Sequence, residues 1–70
     1  MTAATTERDE ALAHARHFEA DAQSWATMRR SPVFADPVGR RLVEIAIDDG
    51  LSLARAWRRR AVELAEEAGR

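Results

Sequence analysis

Cysteine, lysine and tyrosine are all missing from the seventy residues. Without cysteine there are no disulfides and no thiolate metal ligands, and the composition suits a reducing, cytoplasmic compartment. A core this small seldom yields more than about 3–5 kcal/mol of net stability without a staple. With disulfides excluded, a partner subunit becomes the leading candidate for that role. Every basic side chain is arginine, a choice that, with the abundant alanine, matches the coding bias of a GC-rich bacterial or phage genome. It is given no functional weight.

Long apolar runs are missing as well. None approaches the roughly 18 residues needed to cross a bilayer, so no membrane association is expected. The segment Met1–Thr6 lacks a basic region followed by an apolar stretch, so no signal peptide is expected. Residues 1–6 are read as a disordered N-terminus ahead of one helical domain over 7–70. The formal net charge is −1, which excludes a whole-molecule field steering the chain to nucleic acid or anionic lipid. No nucleophile elbow, phosphate loop or Ser/His/acid arrangement occurs, so neither a catalytic set nor a cofactor is expected.

Only two prolines and three glycines interrupt the chain. Glu7 to Arg30 contains neither, and its alanines favour helix. Thr6 reads as an N-cap, and Glu7, Asp9 and Glu10 suit the positive end of a helix dipole. Ala11, Ala15, Phe18, Ala22, Trp25 and Ala26 fall on one face at about 100° per residue, with Leu12 at its edge. The first helix is therefore placed at 7–30. Arg29 and Arg30 favour its C-terminus, and Ser31-Pro32 stops it. Residues 31–36 form a turn. Asp36-Pro37 then reads as an N-cap followed by proline at the first helical position.

The second helix is placed at 37–68, with Gly50 as its one weak point. Leu42, Val43, Ala46, Gly50, Leu53, Ala54, Trp57, Ala61, Leu64 and Ala68 keep one continuous phase across the glycine, whereas a break would normally reset it. A lone interior glycine costs about 1 kcal/mol against alanine. The favoured architecture is thus all-α, an antiparallel hairpin of a short and a long helix that dimerises into a four-helix bundle. The alternative is a monomeric three-helix bundle broken at Gly50. In the hairpin, Trp25 is expected near Leu42 and the Phe18 ring in the Gly50 gap. Helix 2 is expected to overshoot helix 1, leaving Ala61, Val62, Leu64, Ala65 and Ala68 for a second copy to cover. Phe18, Trp25, Leu42, Gly50, Leu53, Trp57 and Leu64 are assigned to the core or dimer seam.

Two constellations point to chemistry. Glu10, His14, His17 and Asp21 share one helical stripe through three- and four-residue spacing, and imidazole with carboxylate suits zinc, nickel, manganese or iron. Against this, the histidines are three apart rather than four, and exposed His–carboxylate stripes commonly form ion pairs. Arg29, Arg30, Arg40 and Arg41 converge on the turn, and Arg40 and Arg41 oppose the dipole at the start of helix 2. This patch suits a phosphate, an acidic protein segment or nucleic acid, although a solvated helix end accounts for it as readily. Arg55, Arg58, Arg59 and Arg60 spread around the helix and face glutamates, as a salt-bridged surface does. The favoured function is a non-enzymatic interaction or regulatory protein, a homodimer with a protein partner. A metal-binding bundle and nucleic-acid binding through the turn arginines are the alternatives, the latter not favoured.

Overall fold

The computed structural model describes residues 3–69. It is all-helical, with two helices packed side by side as a hairpin. α1 spans Ala3–Met28, a short 3-10 turn spans Pro32–Phe34, and α2 spans Pro37–Ala68. Among the described residues there is no strand, and no helix is long and apolar enough to cross a membrane.

α2 starts where the sequence places it. Asp36 is extended (φ −76°, ψ 158°), and its Oδ1 accepts from the Gly39 N–H at 2.7 Å. This satisfies one of the donors that a first helical turn leaves unpaired. Pro37 has no N–H to lose there. The helix then runs unbroken through Gly50 to Ala68, so the three-helix alternative does not occur. The physical reason is at the glycine. A Cβ built on Gly50 would lie 3.1 Å from the Phe18 carbonyl oxygen and 3.3 Å from the Ala22 Cβ. The missing side chain lets the two helix backbones approach closely at Gly50, and the packing this permits outweighs the low helix propensity of glycine.

α1 departs from its expected limits at both ends. It begins at Ala3, so Ala3–Thr6 are helical and Thr6 lies inside the helix rather than capping it; Met1 and Thr2 lie outside the described residues. Alanine is the best helix former, and adding a turn to an existing helix costs far less than nucleating one. At the other end α1 stops at Met28. The Arg30 and Ser31 N–H groups reach back only three residues, to the carbonyls of Thr27 and Met28 at 3.3 and 2.8 Å. This tightening prepares the chain for Pro32, which disfavours helical geometry in the residue before it.

The register brings Phe18 beside Gly50 as expected, but with its backbone carbonyl rather than its ring at the gap. Ala22 rather than the Phe18 ring faces Gly50. Trp25 packs edge-on against Phe34 of the turn, with ring centroids 6.2 Å apart, and Leu42 is 61% exposed. The small residues fix this register, because only Ala22 and the bare backbone at Phe18 can approach Gly50 so closely. α2 does not overshoot α1. Ala11, Ala61 and Leu64 form a buried cluster within the hairpin, flanked by Leu12 and Trp57. Val62 remains 56% exposed, and Ala65 and Ala68 are exposed.

The buried seam is therefore made almost entirely of small side chains: Ala11, Ala15, Ala22, Ala54 and Ala61, with Gly50, Val43 and Leu64. The molecule measures 52 × 16 × 10 Å along its principal axes. It is one layer of helices, where stable domains ordinarily stack two or more.

Candidate functional site

Two cross-helix contacts define the two broad flanks of this layer. On the first flank the His14 ring lies on Trp57, with centroids 4.5 Å apart and planes inclined at 33°. On the second, Arg58 Nε donates to Glu19 Oε1 at 2.7 Å. At about 100° per residue, Phe18 and Trp25 follow His14 along α1, while Leu42 and Leu53 lie on the Trp57 side of α2. Arg40, Ile47, Leu51 and Val62 lie on the Arg58 side.

The first flank is the more apolar. Val38, Leu42, Ile45 and Leu53 are 70, 61, 40 and 44% exposed. Phe18, Trp25, Ala46 and Trp57 beside them are half-buried. Of the residues assigned to core or seam, only Gly50 and Leu64 are fully buried within one chain. The second flank has a shallow apolar groove of Leu12, Ala61, Val62 and Ala65, edged by Arg8 and Arg58.

The histidine–carboxylate stripe is divided into two pairs. His17 Nε2 stands 3.5 Å from Asp21 Oδ2. Glu10 and His14 line a separate hollow with Glu7, Trp57 and Arg60. Among the described residues, no three His, Asp or Glu side chains come together as a metal ion requires. Three donors facing one point are the minimum for such a site, and the ring contact with Trp57 takes His14 away from the stripe. The residue that spacing alone missed is Trp57 in this role. The signal for it would have required knowing the register between helices.

The turn arginines are gathered more effectively. Arg29, Arg30 and Arg40 line one depression of about 360 Å³ together with Glu44. Arg41 is drawn aside to Glu44, with Nη1 3.7 Å from Oε2. Two features hold the backbone at this corner. Ser31 Oγ accepts from the Val33 N–H at 3.4 Å. The Phe34 and Ala35 N–H groups donate to the carbonyls of Ser31 and Pro32 at 3.0 and 3.1 Å. Farther along α2, Arg60 Nη1 reaches Glu63 and Glu67 at 3.3 and 3.4 Å, the solvated pairing its spacing predicts. Comparison with protein-family models, curated proteins and solved structures gives no match.

Proposed function

We propose that the chain is a non-enzymatic interaction protein that works as a homodimer, two hairpins pairing through their His14–Trp57 flanks into a four-helix bundle that binds a second macromolecule. One observation carries this reading. The exposed row Val38, Leu42, Ile45 and Leu53 runs beside half-buried Phe18, Trp25 and Trp57, on a molecule only one helix layer thick. Aromatic and aliphatic side chains concentrated on one side favour an interface.

The area supports a second copy as the occupant. A compact monomer of 7.8 kDa exposes about 4,400 Å² by the usual scaling with mass. The hairpin exposes 5282 Å², an excess on the order of 900 Å² over that scaling. A standard interface buries about 800 Å² per partner. The second flank and the turn arginines stay accessible in such a dimer, and these are the surfaces left for the macromolecular partner.

The test is solution mass by light scattering over a concentration series, with circular dichroism on the same samples. The expected result is twice the chain mass, with helix lost on dilution. Leu42→Glu with Leu53→Glu gives monomers that are less helical. A fully helical monomer at every concentration would sink the reading.

A further inference from the structure

The corner formed by Arg29, Arg30 and Arg40 lies away from the proposed dimer flank, and its argument does not depend on dimerisation. We propose that these three arginines form a binding site for one compact oxyanion of the phosphomonoester class. Their side chains come from both sides of the turn and line a single depression whose remaining lining residue, Glu44, is paired with Arg41. Among the described residues no carboxylate stands within 4.0 Å of any of the three; Arg8, Arg41 and Arg58 each have one such partner and Arg60 has two, while Arg16, Arg55 and Arg59, which also have none, are not gathered with other arginines in one depression. A guanidinium presents a planar fork of N–H donors that matches phosphate oxygens two at a time. Three such forks suit a dianion better than a single carboxylate.

The site is built into the backbone. Arg29 and Arg30 sit in the tightened turn that follows α1, and Arg40 on the first turn of α2, where Arg40 N donates to the Asp36 carbonyl at 3.0 Å. Between them the Ser31 and Asp36 side chains hold the connection. The spacing of the two backbone segments that carry the arginines is thus set by a hydrogen-bonded turn and the capped start of α2. Arg40 sits where a cation opposes the helix dipole, so local helix stability does not explain its position. Positive potential at the corner is what it adds.

The surroundings favour a compact anion over a nucleic-acid strand. A strand needs a basic track that continues from phosphate to phosphate. Here the adjoining hollow along α2 is lined by Arg29, Glu44, Ile47 and Asp48, and Asp36 stands at the other side of the turn, capping Gly39. Glu44 at the edge of the arginine depression, with Asp48 and Asp36 beyond it, interrupts such a track and leaves room for about one phosphate group. Such a group has two sources, a free small phosphate ester or a phosphorylated side chain of a partner protein.

The experiment uses the full chain labelled with nitrogen-15, following the arginine Nε–Hε signals in about 150 mM NaCl, where diffuse surface attraction is largely screened. The probes are O-phosphoserine, a short peptide containing one phosphoserine, its unphosphorylated counterpart, and a single-stranded oligonucleotide. The signals of Arg29, Arg30 and Arg40 are expected to move together along one saturable curve with either phosphoserine probe. Arg29→Gln with Arg40→Gln is expected to weaken binding about tenfold or more, since each charge-assisted pair is among the stronger hydrogen bonds, with helicity unchanged. Tighter binding of the phosphopeptide than of the free amino acid supports a partner-protein source, and equal binding a small ester. Shifts spread over all the arginines without saturation would overturn the proposal. So would an oligonucleotide that binds more tightly per phosphate and perturbs arginines beyond the corner. Mass measured on the same samples separates this result from the dimer: saturation in a monomer leaves the site standing and removes the dimer.

Discussion

Gly50 faces the carbonyl oxygen of Phe18 so closely that a Cβ there would lie 3.1 Å from it. Two effects of opposite sign follow for Gly50→Ala. The helix gains about 1 kcal/mol of propensity, and the packing loses a similar amount, because a backbone carbonyl and the Ala22 Cβ have to move by a few tenths of an ångström. Gly50→Ala is therefore expected to lie within about 1 kcal/mol of the parent. Gly50→Leu has no such balance and is expected to cost about 3 kcal/mol or more by forcing the helices apart. Ser52→Leu, on the exposed side of the same turn, should change stability by less than about 0.5 kcal/mol. Denaturant melts at one fixed protein concentration check all three. A Gly50→Leu variant as stable as the parent would show that this contact does not set the register.

The glycine also marks how far the sequence could be read. Continuity of α2 was legible because phase is a property of one helix, and the Asp36-Pro37 start was legible because a cap is local. The register between helices was legible in outline, since Phe18 was expected beside Gly50 and its carbonyl lies there; which atoms fill the gap was not, since that depends on a contact between residues far apart in the chain. Counting back from the turn put Trp25 opposite Leu42. The structure sets Ala22 and the Phe18 carbonyl at Gly50 and adds Phe34 of the turn as a ring partner for Trp25. Leu64, expected to need a second copy, instead packs with Ala11 and Ala61 of its own chain. At the candidate sites, convergence of Arg29, Arg30 and Arg40 followed from proximity to the turn. The separation of His14 from His17 and Asp21 did not, because Trp57 arrives from the other helix.

The His14–Trp57 contact leads to a second prediction. The rings lie 4.5 Å apart, close enough for stacking worth about 0.5–1.5 kcal/mol beyond the area buried. His14→Ala is expected to destabilise the chain by about 1 kcal/mol and to shift the Trp57 emission to the red as water reaches the indole. His17→Ala removes an exposed pair with Asp21 and an edge-on ring contact with Phe18 of its own helix, and is expected to cost less than His14→Ala, about 0.5 kcal/mol. Chemical denaturation followed by tryptophan fluorescence measures both, using a Trp25→Phe background to isolate Trp57. Equal losses from the two histidines would contradict the division of the stripe into separate pairs.

Asp36 offers a test of the local start signal. Its side chain holds the Gly39 N–H, and removing it in Asp36→Ala leaves that donor to solvent at a cost of about 1 kcal/mol. Asp36→Asn keeps an oxygen acceptor and is expected to retain most of the stability. Hydrogen exchange gives the sharper readout, because protection should fall first at Gly39 and Arg40 and leave the middle of α2 unchanged. Loss of protection spread evenly along α2 would mean that the cap governs the whole helix rather than its first turn.

Glu19 and Arg58 join the helices across the flank opposite His14, with a hydrogen bond of 2.7 Å between side chains 35 and 48% exposed. Their exposure keeps the attraction in high dielectric, so the pair is expected to contribute about 0.5–1 kcal/mol rather than the several that its short distance suggests. A double-mutant cycle with Glu19→Gln and Arg58→Gln isolates that coupling from whatever each side chain does alone. The coupling should shrink as salt rises toward about 1 M, where the screening length falls to about 3 Å. The groove beside it, edged by Arg8 and Arg58, adds a second consequence. With Glu19→Gln the Arg58 head group is released and left to pair with other anions, so the variant should bind acidic probes on this flank more strongly while losing little stability. A coupling energy near zero, or one unchanged by salt, would show that Arg58 holds the helices together through its aliphatic stem and not through its charge.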